Sequence, residues 1–295
     1  MEREISFSII MPTYNRKHCI KAAIDSLLNQ TYQDFELIII DDASADGTDE
    51  CLLKEYQEEI KKGKIKFLKL KENKGPSFAR NEGLKMAKNE WIGYLDSDNQ
   101  MHKDFLETFV KNIKDNPATE IFYAQIKSLT TQNIIGHEFD FENLLLGNYI
   151  DVGILVHSKK IYSELGGFDM GIKGVEDWDL IIKYTEKYAP KFIQKVLLDY
   201  YDGSEFERIT PNSNYCENFK KTILNYYNRL PAQEFFKTHI NKNNELISKD
   251  QEIATLNQIV QQKEEHISNI VNSLRWRIPN YFYKMYKKLM SKIST

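Results

Sequence analysis

The stretch Trp91-Ile92-Gly93-Tyr94-Leu95-Asp96-Ser97-Asp98-Asn99 passes from apolar to acidic without transition. Its first half reads as a buried strand, and its second as that strand's end at the edge of a sheet. Side chains two apart on a strand point the same way, so Asp96 and Asp98 are expected to face one ligand together. Two carboxylates so placed repel each other unless a cation lies between them and something negative. A phosphate bridged by magnesium or manganese satisfies that condition.

The same rhythm extends outward from this strand. Phe7–Met11 and Leu37–Ile40 are further apolar runs of strand length, and Ile65–Leu70 reads as a third strand. Between them lie helical spacings: Ile20, Ala23, Ile24, Leu27 and Leu28; then Leu52, Leu53, Tyr56 and Ile60; then Ala79, Leu84 and Ala87; then Leu106, Phe109, Val110 and Ile113. A βαβαβαβ order predicts an α/β fold, Rossmann-like, with a mostly parallel sheet flanked by helices. Ligands of such sheets bind beyond the carboxyl ends of the strands. Pro12-Thr13-Tyr14-Asn15, Asp41-Asp42 and Asp96-Ser97-Asp98 all fall there. After Asn116-Pro117 the pattern loosens. Ile121–Ala124 and Val152–Val156 are expected strands around an irregular stretch, Lys127 to Asn148. Gly166-Gly167-Phe168-Asp169 reads as a turn, and Glu176-Asp177 opens a helix through Leu180, Ile181 and Tyr184.

The chain has 295 residues, with 40 basic and 43 acidic side chains for a formal net charge of −3. That balance does not point to nucleic acid as a partner. Cys19, Cys51 and Cys216 are odd in number and widely spaced, which argues against a disulfide framework or a zinc site and fits a reducing cytoplasm. The start reaches Phe7-Ser8-Ile9-Ile10-Met11 at once, with no signal-type apolar segment, and no run approaches the roughly 18 apolar residues of a membrane span.

The catalytic core is expected over 1–214 and a helical linker over 215–242. Leu246, Ile253, Val260, Ile267 and Leu274 then recur every seven residues, a coiled-coil seam over 243–274. Such a helix would be about 48 Å long and would join copies of the chain into a homo-oligomer. The tail 275–295 carries Arg275, Arg277, Lys284, Lys287, Lys288 and Lys292 among aromatics, and no acid occurs after Glu265. It resembles an interfacial amphipathic helix attracted to anionic lipid, which predicts peripheral contact with the cytoplasmic face of a membrane.

Taken together, these segments resemble family 2 glycosyltransferases. Phe7 to Arg16 looks like the family's opening strand. Leu28 to Tyr32, Leu37 to Thr48, Asn73 to Asn81, Asp96 to Asn99, and Gly166 to Asp169 with Glu176 to Leu180 match its later segments in order, over about residues 5 to 200. The resemblance implies a GT-A fold with a C-terminal helical extension, and an inverting hexosyl or related sugar transfer. The donor would be a nucleoside-diphosphate sugar, and the acceptor a hydroxyl of a glycan or lipid-linked molecule in surface polysaccharide assembly. Pro12, Thr13 and Tyr14 would line the nucleotide, and Asp41 or Asp42 would accept from its base. Asp96 would sit near the ribose, and Asp98 would bind Mn²⁺ or Mg²⁺ bridging the phosphates. Asp177, beside Glu176, would be the catalytic base. Arg80 lies in a matching segment.

Asn99 stands where the family often has another Asp, and Lys183 where many members have arginine. No Gln-x-x-Arg-Trp motif occurs, so addition of one or a few sugars is expected rather than processive synthesis. Taken alone, Asp41-Asp42 reads as acids capping a strand, and Glu176-Asp177 as carboxylates at a helix start, favourable there by about 0.3–1 kcal/mol. His102, His137 and His157 are isolated and read as packed or solvent-facing, Trp178 as packed beneath the site, and Arg208 as an ordinary loop residue. Three alternatives stay open. A nucleotidyltransferase would release pyrophosphate, but no glycine-rich, lysine-bearing loop lies near Pro12. A glycoside hydrolase would not need the nucleotide-side motifs. A non-catalytic scaffold would use the heptad helix alone.

Overall fold

The computed structural model describes residues 4–201. The expected linker, coiled coil, basic tail, Cys216 and Arg208 lie outside them. Along the chain run β1 (Phe7–Thr13), α1 (Ile20–Leu28), β2 (Phe35–Asp41), α2 (Thr48–Glu55), α3 (Gln57–Lys61), β3 (Ile65–Lys69), α4 (Pro76–Met86) and β4 (Trp91–Tyr94). Then come β5 (Gln100–Met101), α5 (Phe105–Asp115), β6 (Ile121–Ser128), β7 (Ile134–Ile135), α6 (Phe141–Leu146), a 3₁₀ turn (Val152–Ile154), β8 (Leu155–Ser158), α7 (Lys159–Leu165), α8 (Glu176–Thr185) and β9 (Lys191–Tyr200).

One sheet holds these strands in the order β3-β2-β1-β4-β8-β6-β9-β5, with β7 paired to β6. Its β3-β2-β1-β4 half is parallel, as the alternating pattern predicts. Beyond β4 the expectation of a mostly parallel sheet fails: β8 runs antiparallel to both β4 and β6, β7 to β6, and β5 to β9, with only β6–β9 parallel. The sheet is mixed. Two other boundaries also move. The second helix breaks at Tyr56, whose hydroxyl donates to Asp25 Oδ1 at 2.8 Å and pins it against α1. The expected strand Val152–Val156 begins instead as a 3₁₀ turn, because the Asp151 side chain accepts from Gly153 N at 2.7 Å.

Helices cover both faces. Phe7, Ile9 and Met11 of β1 pack into one core with α1 and α5. Ile10 points to the opposite face, where α4 lies so close that a Cβ on Gly83 would overlap the Ile10 side chain. Among the described residues no helix is long and apolar enough to cross a membrane.

After β3 the chain crosses back over β1 to form β4, so the strand order reverses at the β1/β4 junction. Open α/β sheets bind ligands at such a reversal. Their hydrogen bonding ends early there. Leu95 N donates to Ile10 O at 3.0 Å, the last backbone bond between them. Pro12 lies two residues further on and faces the same side, where pairing has stopped, so its missing N–H is no loss in a central strand.

Candidate functional site

Three parallel strands deliver their carboxyl ends to one edge. Thr13 of β1 is in register with Asp41 of β2, and Asp42 N donates to Thr13 O at 2.8 Å. The two acids then differ. Asp42 accepts from Lys74 N at 2.8 Å and from Gly75 N at 2.7 Å, one bond to each oxygen, so it ties down the loop entering α4. Asp41 is fully buried; Ser44 N donates to its Oδ1 at 3.0 Å, while Oδ2 has no hydrogen-bond partner. Burial raises its pKa from the usual carboxylate value, against the opposing pull of Ser44 and Lys69. Thr13 Oγ1 is likewise buried without a partner. An orphaned polar atom in the interior is destabilising unless something pairs with it. Asp41 Oδ2, with Lys69 Nζ 4.0 Å away, and Thr13 Oγ1 thus lack a hydrogen bond, whereas both oxygens of Asp42 are bonded. Pro12 is buried beside them, and Tyr14, 45% exposed, presents its ring at the rim.

The acids after β4 do not continue the strand. β4 stops at Tyr94, and Asn99 N donates to Asp96 O at 3.1 Å, closing a turn over Asp96–Asn99. Strand alternation therefore does not govern Asp96 and Asp98, and each meets a different arginine. Asp96 Oδ1 accepts from Arg80 Nη2 at 2.7 Å, and Asp98 lies 3.9 Å from Arg16 Nε in the loop after β1.

Arg80 is the hub. It is 7% exposed on α4, its guanidinium 5.4 Å from the centre of the Phe168 ring and 4.0 Å from Glu176 Oε1. Burial alone would lower its pKa, but the charges of Asp96, Glu176 and Asp177 outweigh it and raise the value. Its Nε and Glu176 Oε2 are both buried without hydrogen-bond partners. Phe168 is held by Asn81, which accepts from Phe168 N at 2.8 Å and donates to Phe168 O at 2.9 Å. The approach leaves no room for a Cβ at Gly167, and Lys183 of α8 donates to Gly167 O.

Glu176 and Asp177 form the first turn of α8. Asp177 Oδ1 accepts from Trp178 N at 2.8 Å, and Oδ2 from Asn148 Nδ2 at 3.2 Å. Burial, then the adjacent Glu176 charge, push its carboxyl up to about 6. Asp151, at the entry to the 3₁₀ turn, joins the group: burial, then Asp96 and Asp177, push it up to about 7. Asp96, Glu176, Asp177 and Asp151 thus converge electrostatically on Arg80 from three separate parts of the chain. Such an array suits proton transfer near neutrality, because a carboxyl tuned towards the working pH can both take and release a proton.

Asp151, Asn148 and Arg16 were not among the residues singled out from the sequence. β8 is antiparallel to β4, with Gly93 opposite Val156, and so the segment entering β8 arrives beside the carboxyl end of β4. The remaining candidates are structural. His157 is fully buried, donates from Nδ1 to Ser158 O at 2.9 Å, accepts at Nε2 from Tyr94 Oη at 2.9 Å, and is lowered to about 4 by burial, hence neutral. His102 pairs with Asp199 and His137 stacks on Tyr149. Trp178 is buried and donates to Leu144 O at 2.7 Å, fastening α8 to α6.

For a divalent cation, Asp98 offers hard carboxylate oxygens, the donor type that Mg²⁺ and Mn²⁺ take. Among the described residues no group of three or more His, Cys, Asp or Glu side chains forms a metal cage. A phosphate-bridging cation fits one protein carboxylate, since substrate phosphates and water complete its shell.

A mixed α/β sheet with acids at a strand-order reversal is the build of GT-A proteins. The structure of TarS 1–349 from S. aureus in complex with UDP-GlcNAc shares it, with a TM-score of 0.64 at 21% identity over 74% of this chain and 64% of that one. The model for glycosyl transferase family 2 matches residues 8–155. A glycosyltransferase of Haemophilus influenzae, described as uncharacterized, is 37% identical over 229 residues, 74% of this chain and 85% of that protein. The chain belongs to glycosyl transferase family 2. The E. coli enzyme WfgD, a UDP-Glc:α-D-GlcNAc-diphosphoundecaprenol β-1,3-glucosyltransferase, is 36% identical over 129 residues, 44% of this chain and 49% of WfgD. The chain spans less than two thirds of the length of several relatives it matches, 62% and 33% in two further cases.

Proposed function

We propose that this chain transfers one sugar from a nucleoside-diphosphate sugar to a hydroxyl of a glycan or lipid-linked acceptor, with inversion and with Mn²⁺ or Mg²⁺ bound, in assembly of a surface polysaccharide. The observation carrying the reading is the Arg80 hub, which links Asp96 at the end of β4 to Glu176 and Asp177 at the start of α8. A donor spanning that edge would meet Thr13, Tyr14 and Asp41 with its nucleoside, Asp96 with its ribose, and Asp177 across its anomeric carbon. Asp177 then takes the acceptor hydroxyl's proton as the new bond forms, and no covalent enzyme intermediate is needed. Arg80 orients Asp96 through the bond from its Nη2 to Asp96 Oδ1. Asp98 holds the cation, which when bound stabilises the charge developing on the departing diphosphate. The name of WfgD supports a lipid-diphosphate acceptor. By the same proposal the 243–274 seam joins copies of the chain and the 275–295 tail meets anionic lipid.

Purified protein with Mn²⁺, offered a panel of sugar nucleotides, should release nucleoside diphosphate from at least one. Asp98→Ala should abolish that release. Asp177→Asn should lower acceptor-dependent turnover by about 10²–10⁴ while nucleotide affinity stays within about threefold. Release by Asp98→Ala at the native rate would remove the metal from the reading, and native turnover by Asp177→Asn would remove its base.

A further inference from the structure

We propose that Asn148 is a positioning residue for the Asp177 carboxylate, holding it in the orientation that receives the acceptor's proton. The proposal rests on the reading of Asp177 as base, and it begins from an amide whose two ends are assigned by their partners. Asn148 Oδ1 accepts from Ile150 N at 3.2 Å, which leaves Nδ2 as the end facing Asp177 Oδ2, also at 3.2 Å. An amide reversed at this position would set two acceptors against each other.

Asp177 is fixed from two sides as a result. Trp178 N holds Oδ1 and Asn148 Nδ2 holds Oδ2, so the plane of the carboxylate is set by one bond to each oxygen. Asn148 takes one of the two lone-pair directions of Oδ2 and leaves the other for a hydroxyl. The competitor for this carboxylate is Arg80, whose charge is coupled to Asp177. A base drawn into a close ion pair with a guanidinium is poorly aligned and weakly basic. Asn148 opposes that swing with a neutral donor. The other charged groups around Asp177 are Glu176, its neighbour on α8, Asp96 after β4, and Asp151 on the segment that carries Asn148 itself. Asp151, pushed up to about 7, can donate only in its protonated form, whereas the Asn148 amide donates at every pH. Asn148 is exposed, between α6 and the 3₁₀ turn, so its bond to the base is open to an arriving acceptor.

The experiment follows the Asp177 carboxyl directly, by carbon-13 NMR titration of the full chain, with Asp177→Asn assigning the signal. Asn148→Ala removes a donor that favours the ionised form, so the midpoint should rise by about 0.5–1 pH unit. Asn148→Asp retains an acceptor for Ile150 N but replaces the donor with a charge, so it should raise the midpoint further. The acid limb of the kcat/KM profile should move with the midpoint. Turnover should fall about threefold to tenfold in Asn148→Ala, and more in Asn148→Asp, with donor KM unchanged. A residue that merely braces its loop gives the reverse order, since aspartate preserves the Ile150 bond and alanine does not. An unmoved midpoint in Asn148→Ala, or an aspartate variant milder than alanine, overturns the proposal. A wild-type chain inert towards every sugar nucleotide, with the midpoint still moving in the variants, overturns instead the transferase reading on which this role rests.

Discussion

Asp151 and Asp177 hold protons at pH values where an exposed aspartate, with a pKa near 3.9, has lost them. Burial raises both, to about 7 and about 6. Between about pH 4 and pH 7 the folded chain therefore binds more protons at these sites than the unfolded chain. Their contribution to stability is fully present below the unfolded pKa and is lost as pH rises through the folded values. Asp151→Asn removes a charge that is unfavourable only when ionised. Its melting temperature should exceed that of the parent by about 2–4 °C at pH 8, and the two should converge below about pH 4. Calorimetry at both pH values checks this, and an equal gain at both would place the cause elsewhere. The same scale separates Asp41 from Asp42, which stand side by side in the sequence and read alike there. Their difference is one of hydrogen bonding: Lys74 and Gly75 satisfy Asp42, while Asp41 Oδ2 has no hydrogen bond and only Lys69 Nζ at 4.0 Å.

At the level of elements, α4 carries the hub and owes its closeness to β1 to Gly83. In an exposed helix interior, replacing glycine with alanine gains about 0.8–1 kcal/mol. Here the new methyl would overlap Ile10, and overpacking costs typically 1–3 kcal/mol. The overlap outweighs the propensity, so Gly83→Ala should lose roughly 1–2 kcal/mol in urea unfolding, partly restored by adding Ile10→Val. Full stability in the single variant would show that α4 does not depend on this contact. The helical spacing of Ala79 and Leu84 makes α4 legible in the sequence, as hydrophobic runs make β1, β2 and β4. The acids were legible as the polar ends of those runs. The strand directions beyond β4 were not. A residue before a strand lies at the far edge of a parallel sheet, and only the reversed direction of β8 brings Asn148 and Asp151 to the near one.

Across the whole chain, the residues beyond 201 carry a prediction of their own from the seven-residue recurrence of Leu246 to Leu274. Sedimentation should show concentration-dependent self-association of the full chain, lost on truncation after residue 242. Vesicles containing anionic lipid should bind the full chain more strongly than one ending at residue 274, with salt weakening the difference. Equal behaviour of the truncated chains would remove the heptads and the tail from these roles. For the described residues, local patterning was sufficient to assign the parallel half of the sheet, because periodicity records which face of an element is buried, while the family resemblance put forward Thr13, Asp41 or Asp42, Asp96, Asp98 and Asp177 as candidates. The antiparallel pairing of β8, the partner of each acid and the meeting of Asn148 with Asp177 arise from contacts between residues far apart in the chain. Those depend on hydrogen bonds and charges that exist only once the mixed sheet has assembled and α4 has packed on it.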